Sequence, residues 1–205
     1  MNAFPSHRLA TDTDDGMLLV ISGPSGVGKT TITRAVERSI PDAVFSVSAT
    51  TRPRTDADVE GVDYHFLTVD DFLRREAAGE FLETAVYAGN RYGTLRAPVQ
   101  AQLERGRLMI LEIDVQGAKQ VKAKVPAAFS LFVLPPGEDA LLERLRARKR
   151  EPEEVIQRRF RLAQEEIAEA HRCGVYDAFI VNDRLDRAID EALALVRHAR
   201  ARRRR

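Results

Sequence analysis

The run Gly23-Pro24-Ser25-Gly26-Val27-Gly28-Lys29-Thr30 has the spacing G-x-x-x-x-G-K-[ST]. These residue types at this spacing suit the grip of a polyphosphate. Glycine lets the backbone curl until successive N–H groups converge on phosphate oxygens. Lys29 adds a point charge for the β- and γ-phosphates, and the Thr30 hydroxyl offers a ligand to Mg²⁺. A helix that opens at the loop directs its positive end at the same anion. An apolar stretch precedes the loop and a helical pattern follows it through Thr31, which is the setting the motif needs. The alternative is a tight strand-to-helix turn that holds no ligand.

A second set of candidates closes the run Leu108-Met109-Ile110-Leu111-Glu112-Ile113-Asp114. As a strand it has period two, so Glu112 and Asp114 lie on the same side. In open parallel sheets, ligands bind beyond the carboxyl ends of the strands. Asp114 is placed either to orient the water shell of Mg²⁺ or to cap the helix expected from Val115. Glu112 can accept hydrogen bonds from a base that carries donors. A third set is the arginine-dense segment holding Arg144, Arg146, Arg148, Lys149, Arg150, Arg158, Arg159 and Arg161. Guanidinium forks suit the oxygens of a phosphoryl group in transit. The same density also fits a solvated helix face, which is the reading for Arg146, Arg150, Arg158 and Arg161. Spacing alone does not raise Arg144, Arg148 and Arg159 above it.

Alternating elements are needed to bring these sets together. Strand-like runs fall at 17–22, 43–48, 108–114, 129–134 and 178–182. Most are continuously apolar, as strands buried on both faces are. Helical patterns fall at 29–39, 97–105, 138–149 and 152–171, and a last helix runs from about 183–186 toward 198. In the longer of the two charged helices, Ile156, Phe160, Ala163, Ile167 and Ala170 form one stripe. The alternation predicts an α/β fold, a parallel sheet flanked by helices. Residues 50–94 break the rhythm with short strand-like pieces at 64–67, 81–87 and 91–94. They also hold a helix after the capping pattern Thr68–Asp71 and a turn at Ala88-Gly89-Asn90. This is expected to be an inserted mixed α+β lobe. Residues 1–16 read as a flexible lead-in and 199–205 as a frayed basic tail.

The chain has 205 residues, 32 Lys+Arg against 31 Asp+Glu, and a net charge of +1. That suits one domain and disfavours a dedicated nucleic-acid binder. The near-neutral total conceals eight basic against three acidic residues between 144 and 161. It also conceals six arginines and no acid between 197 and 205. One cysteine, Cys173, excludes an internal disulfide and a multi-cysteine zinc site. The apolar run Met17–Ile21 is too short for a membrane span or a signal core. The expectation is a cytoplasmic enzyme with no membrane partner and no specific nucleic-acid partner.

Several stretches, taken in order, resemble the guanylate kinase family. They are Val20 through Thr30, Ser46-Val47-Ser48-Ala49-Thr50-Thr51-Arg52-Pro53, and Gly61-Val62-Asp63-Tyr64-His65-Phe66. Further on stand Glu80-Phe81-Leu82-Glu83, Gly89-Asn90-Arg91-Tyr92-Gly93-Thr94, Leu111 through Gly117, and Ile180-Val181-Asn182-Asp183. The resemblance covers residues 17–198. It implies a P-loop NTPase-type core (17–49, 95–137 and 172–198), a GMP-binding lobe (50–94) and a helical lid (138–171). It implies transfer of the γ-phosphate of ATP to GMP, and to dGMP, with Mg²⁺, in purine nucleotide metabolism. By motif, Gly23, Pro24, Ser25, Gly26, Val27, Gly28, Lys29, Thr30, Thr31 and Asn182 would bind ATP. Ser48, Glu83, Thr94 and Glu112 would hold guanine, and Arg52, Tyr64 and Tyr92 the GMP phosphate. Lys29, Arg144, Arg148 and Arg159 would be catalytic, and Thr30 and Asp114 would serve the metal, Asp114 through water.

The base chemistry agrees. Guanine presents N1–H and an exocyclic amine, so carboxylates at Glu83 and Glu112 favour it over adenine, and the hydroxyls of Ser48 and Thr94 can donate to O6. Two departures from the family pattern stand out. Arg52-Pro53-Arg54 is one residue short, so Thr55 occupies the place of a second phosphate-binding arginine. Arg148 is followed by Lys149 where the family has a lid glycine. The rivals are a kinase for a phosphorylated sugar, a non-catalytic interaction module, and a switch that only hydrolyses ATP or GTP. The intact run Gly23–Thr30 speaks against the module.

Overall fold

Apolar runs that cannot face water on either side pair with one another in parallel. In the computed structural model, which describes residues 16–147 and 152–203, the order along the chain starts with β1 (Met17–Ser22), α1 (Lys29–Ser39) and β2 (Ala43–Phe45). Next come β3 (Ala49–Thr50), β4 (His65–Phe66), α2 (Val69–Ala77), β5 (Phe81–Tyr87), β6 (Asn90–Leu95) and α3 (Arg96–Glu104). The remainder is β7 (Leu108–Glu112), α4 (Val115–Lys124), β8 (Phe129–Leu134), α5 (Glu138–Ala147), α6 (Glu153–Cys173), β9 (Ala178–Val181) and α7 (Leu185–Arg203).

The larger sheet has the order β2-β7-β1-β8-β9, with every neighbour parallel. The central strand β1 is buried along its whole length. Its alternate side chains feed two cores. Met17, Leu19 and Ile21 meet Ile32 and Val36 of α1 and Ala188, Ala192 and Val196 of α7. Leu18 and Val20 face Val99 of α3 and Ala118 and Val121 of α4. The α/β architecture read from the sequence is the one observed.

A second sheet has the order β4-β3-β6-β5. Its hairpin β5–β6 turns at Ala88 and Gly89, which both have positive φ, 49° and 78°. Two such residues make the tight turn whose twist matches antiparallel strands. Phe72 of α2 stacks on Phe81 at 4.5 Å and centres a small core with Ala49. The Thr68 hydroxyl caps α2 by accepting from the Asp71 amide, as the sequence pattern predicts.

Three boundaries depart from expectation. The run 43–48 is not one strand: β2 ends at Phe45 and the chain crosses to β3 of the other sheet. Ser46 still donates to Ile110 of the first sheet, whereas the Ser48 carbonyl already accepts from His65 of the second. The run 108–114 stops being a strand at Glu112, because Asp114 turns out to cap α4. The last helix does not end near 198. It continues to Arg203, because the stripe Ala188, Ala192, Val196 extends into Ala199, which packs on the core. Arg200 then pairs with Asp42 through bonds of 2.7 and 2.9 Å, both side chains about nine-tenths buried. The frayed tail is thus corrected for residues 199–203; 204–205 and the lead-in 1–15 lie outside the described residues.

Candidate active site

The loop after β1 wraps the amino end of α1. Gly28 sits at the helix start with φ 95°, a conformation that disfavours side chains. A Cβ there would come within 2.7 Å of the Asn182 amide nitrogen. Gly23 is equally constrained, since its Cβ would meet the Val133 carbonyl oxygen at 2.5 Å. Among the described residues no side chain caps α1, and no acid occupies its first turn. Lys29 folds back on the loop, donating from Nζ to the Gly23 carbonyl at 2.6 Å. Thr30 Oγ1 donates to Glu112 Oε1 at 2.7 Å. The end of β7 and the start of α1 are therefore tied where two cavities open. Thr31, next on α1, is exposed.

The first cavity, about 400 Å³, is lined by Ser48, Tyr64, Glu83, Tyr92, Glu112 and Asp114, among others. The second, about 330 Å³, shares Ser48, Tyr64 and Glu112 with it and adds Thr30, Arg34 and Asp58. A larger cavity, about 500 Å³, lies at the opposite end of the strands beside Phe129 and Ala178. It contains none of the candidate site residues, and Arg202 and Arg203 of the basic tail are on its wall.

Glu83 stands on β5, 4% exposed. Burial pushes its carboxyl above the usual range, and the Thr94 hydroxyl, donating at 2.6 Å, pulls it back. Thr94 thus directs its hydroxyl hydrogen bond to Glu83, a use that the sequence did not foretell. Gly117 of α4 makes room for the carboxylate: a Cβ there would lie 3.0 Å from Glu83 Oε2. Gln120 of α4 clamps β5 by exchanging two hydrogen bonds with the Thr84 backbone. Asp114 accepts from the Gly117 amide at 2.7 Å, so it caps α4 while also lining the first cavity.

Arg52 forms a two-pronged pair with Asp58, at 2.8 and 3.0 Å. Arg52 and then Thr55 hold the Asp58 carboxyl well below the ordinary carboxylate range. Tyr64 and Tyr92 meet edge to face at 5.8 Å, and the Arg52 guanidinium lies 5.4 Å from the Tyr64 ring centre. Arg54, whose reach to a phosphate the sequence left open, donates instead to the Asp58 carbonyl at 3.0 Å.

The arginine-dense helices touch the loop from the other side. Arg159 of α6 donates to Ser25 Oγ. Arg144 of α5 donates to the Asn182 carbonyl at 2.8 Å. Asn182 is buried, and its amide donates to the Val27 carbonyl at 2.8 Å. Asn182 therefore steadies the loop's own backbone. Arg146, read as a solvated face, pairs with exposed Glu153. Arg148 and Lys149 lie outside the described residues. Glu166 of α6 was missed by sequence reasoning. It lines the first cavity, and burial raises its carboxyl to about 7, with Lys29 opposing and Asp114 adding to the rise. It follows Arg159 by two helical turns, so a scan along that face of α6 could have found it.

This arrangement joins a polyphosphate loop to a compartment walled by a buried carboxylate and two tyrosines. Comparison with known proteins gives the family. The family profile described as guanylate kinase matches residues 15–199. The chain belongs to the guanylate kinase family. It is similar to the guanylate kinase of Anaeromyxobacter dehalogenans, 48% identical over 198 residues, covering 96% of this chain and 87% of that one. The guanylate kinase of Thermosynechococcus vestitus is 46% identical over 174 residues, covering 85% of this chain and 90% of that one. Among solved structures, guanylate kinase from Anaplasma phagocytophilum superposes with a TM-score of 0.70 at 31% identity, covering 90% of this chain and 86% of that one. The guanylate kinase resemblance of the sequence motifs thus extends to the fold over 90% of the chain.

Proposed function

We propose that this chain transfers the γ-phosphoryl group of ATP to GMP, and to dGMP, giving ADP and GDP. The observation that carries the reading is the buried carboxylate of Glu83, set in a cavity that adjoins the phosphate loop through Glu112 and Thr30. A carboxylate there accepts from N1–H and the exocyclic amine of guanine. Adenine offers an acceptor at N1 and no such amine, so it would leave Glu83 unpaired, and sites built on hydrogen bonds reject such mismatches strongly.

The donor triphosphate would lie along Gly23–Thr31, with Lys29 leaving the Gly23 carbonyl to meet the β/γ oxygens. A monoester phosphate is mostly a dianion at pH 7, so the acceptor needs no general base. His65 faces Glu60, and His171 stacks on Phe179, so neither is placed to act as one. Positioning and positive charge do the work, with Arg144 and Arg159 already in contact with the loop and its support. Arg148 belongs to the same set by resemblance.

Mg²⁺ fits as the cofactor. It prefers oxygen ligands and arrives with nucleotide phosphates, keeping several waters. Among the described residues no cluster of three or more His, Cys, Asp or Glu could cage a metal by itself. Thr30 Oγ1 would ligate it directly and Asp114 through water, and its charge would neutralise phosphate oxygens. No helix among the described residues is long and apolar enough to cross a membrane. The reading goes with a cytoplasmic enzyme, supplied there with ATP and GMP.

The test is ADP release with ATP and Mg²⁺ across GMP, dGMP, AMP, UMP and sugar phosphates. GMP and dGMP should turn over, and the others should not. Turnover of a sugar phosphate alone, or ADP formation independent of GMP, would reject the assignment.

A further inference from the structure

A phosphate monoester brings roughly −1.5 to −2 charges into its site at pH 7. The walls of the two cavities are already acidic: Asp58, Asp63 and Glu112 line one, and Glu83, Asp114 and Glu166 the other. The loop expected to answer with guanidinium groups is closed on itself. Arg52 is bound by Asp58. Thr55 directs both its amide and its hydroxyl to the same carboxylate, each at 2.7 Å. Arg54 is turned to the Asp58 carbonyl.

Arg34 is the guanidinium on the wall of the second cavity. It stands on α1 one turn after Thr30, so the two share a helix face. Its Cζ lies 4.1 Å from the centre of the Phe45 ring. Stacking fixes the plane of the fork and leaves its edges for oxygen acceptors. Its one-turn ion pair with Glu37, at 2.8 Å on an exposed surface, is of the weak kind that gives way to a dianion.

We propose that Arg34 holds the phosphate of the acceptor nucleotide, supplying from α1 the guanidinium that Thr55 does not. The helix that presents Thr30 to the donor would then also grip the acceptor, fixing the two phosphates relative to each other through one rigid element. The inference rests on the reading of GMP as acceptor.

Arg34→Met tests it, because methionine keeps an apolar stem on Phe45 and removes the fork. Steady-state kinetics give KM for GMP and for ATP, and calorimetry gives the affinities for GMP and for guanosine, which lacks the phosphate. KM for GMP should rise about tenfold, the scale of one charge-assisted hydrogen bond, with KM for ATP and guanosine affinity unchanged. An unchanged KM for GMP overturns the proposal. An equal loss for GMP and guanosine also overturns it, because the side chain would then shape the pocket and not hold phosphate. Failure of the acceptor reading is distinct: the wild-type protein itself would then form no GMP-dependent ADP.

Discussion

Thr30 and Glu112 are 82 positions apart in the chain and 2.7 Å apart in space. Such pairs decide what single residues do here. Lys29→Ala should lower kcat by two or more orders of magnitude, on the scale of losing a charge aimed at the transferring group, about 3 kcal/mol; turnover near wild type would remove Lys29 from the phosphate site. Glu83→Gln should raise KM for GMP at least tenfold, since an amide repels one guanine donor, with KM for ATP unchanged. Glu166 sets a pH dependence of stability. Its folded-state carboxyl, about 7, lies above the ordinary 4.5, so the native state binds the extra proton between those values. Stability should therefore fall as pH rises from about 4.5 through about 7, by roughly 1–3 kcal/mol. Urea midpoints at pH 5 and pH 8 measure the slope, and Glu166→Gln should flatten it. The candidates that announce themselves by motif were legible in the sequence. Asp58, Glu166 and the Thr94–Glu83 bond were not, because their meaning comes from partners on other elements.

At the scale of elements, the phosphate loop is held by what surrounds it. Asn182, at the end of β9, binds the Val27 carbonyl, Arg144 of α5 binds the Asn182 carbonyl, and Arg159 of α6 binds Ser25. Leu145 of α5 sits against Gly26. Asn182→Ala leaves a buried carbonyl unpaired, which costs about 1–3 kcal/mol. It should lower the urea midpoint and raise KM for ATP, and leave the affinity for guanosine as it was; a loss in guanosine affinity equal to that for ATP would show a general collapse instead. The strands were legible because runs such as Met17–Ile21 are apolar at every position, as burial on both faces requires. The crossing at 46–48 was not. Alternation of side chains cannot tell a strand that continues from one that changes sheets, since the backbone partners differ and the residue types do not.

At the scale of the whole molecule, the C-terminal arginines divide. Arg200 is a buried partner of Asp42 in the turn between α1 and β2, and its removal strands a carboxylate in the interior. Arg200→Ala should cost about 3 kcal/mol or more, read as a lower urea midpoint with kcat little changed in the folded protein. Asp42→Ala added to it should recover part of the loss. Composition counted these arginines as a charge and so hid a packing role that depends on the long stems of the side chains. The near-neutral net charge was likewise correct as a total and silent about where each sign is used.

The helix that carries the phosphate loop leans on α7, and its closing pair joins residues 158 positions apart. At about 5–20 residues per second of synthesis, the face of α1 that meets Ala188, Ala192 and Val196 waits roughly 10–30 s for its cover. Until then β1 and α1 expose apolar surface on the nascent chain. The nucleotide loop, made first, thus gains its support almost last, and a chaperone that shields this face during translation would act where the fold is most open.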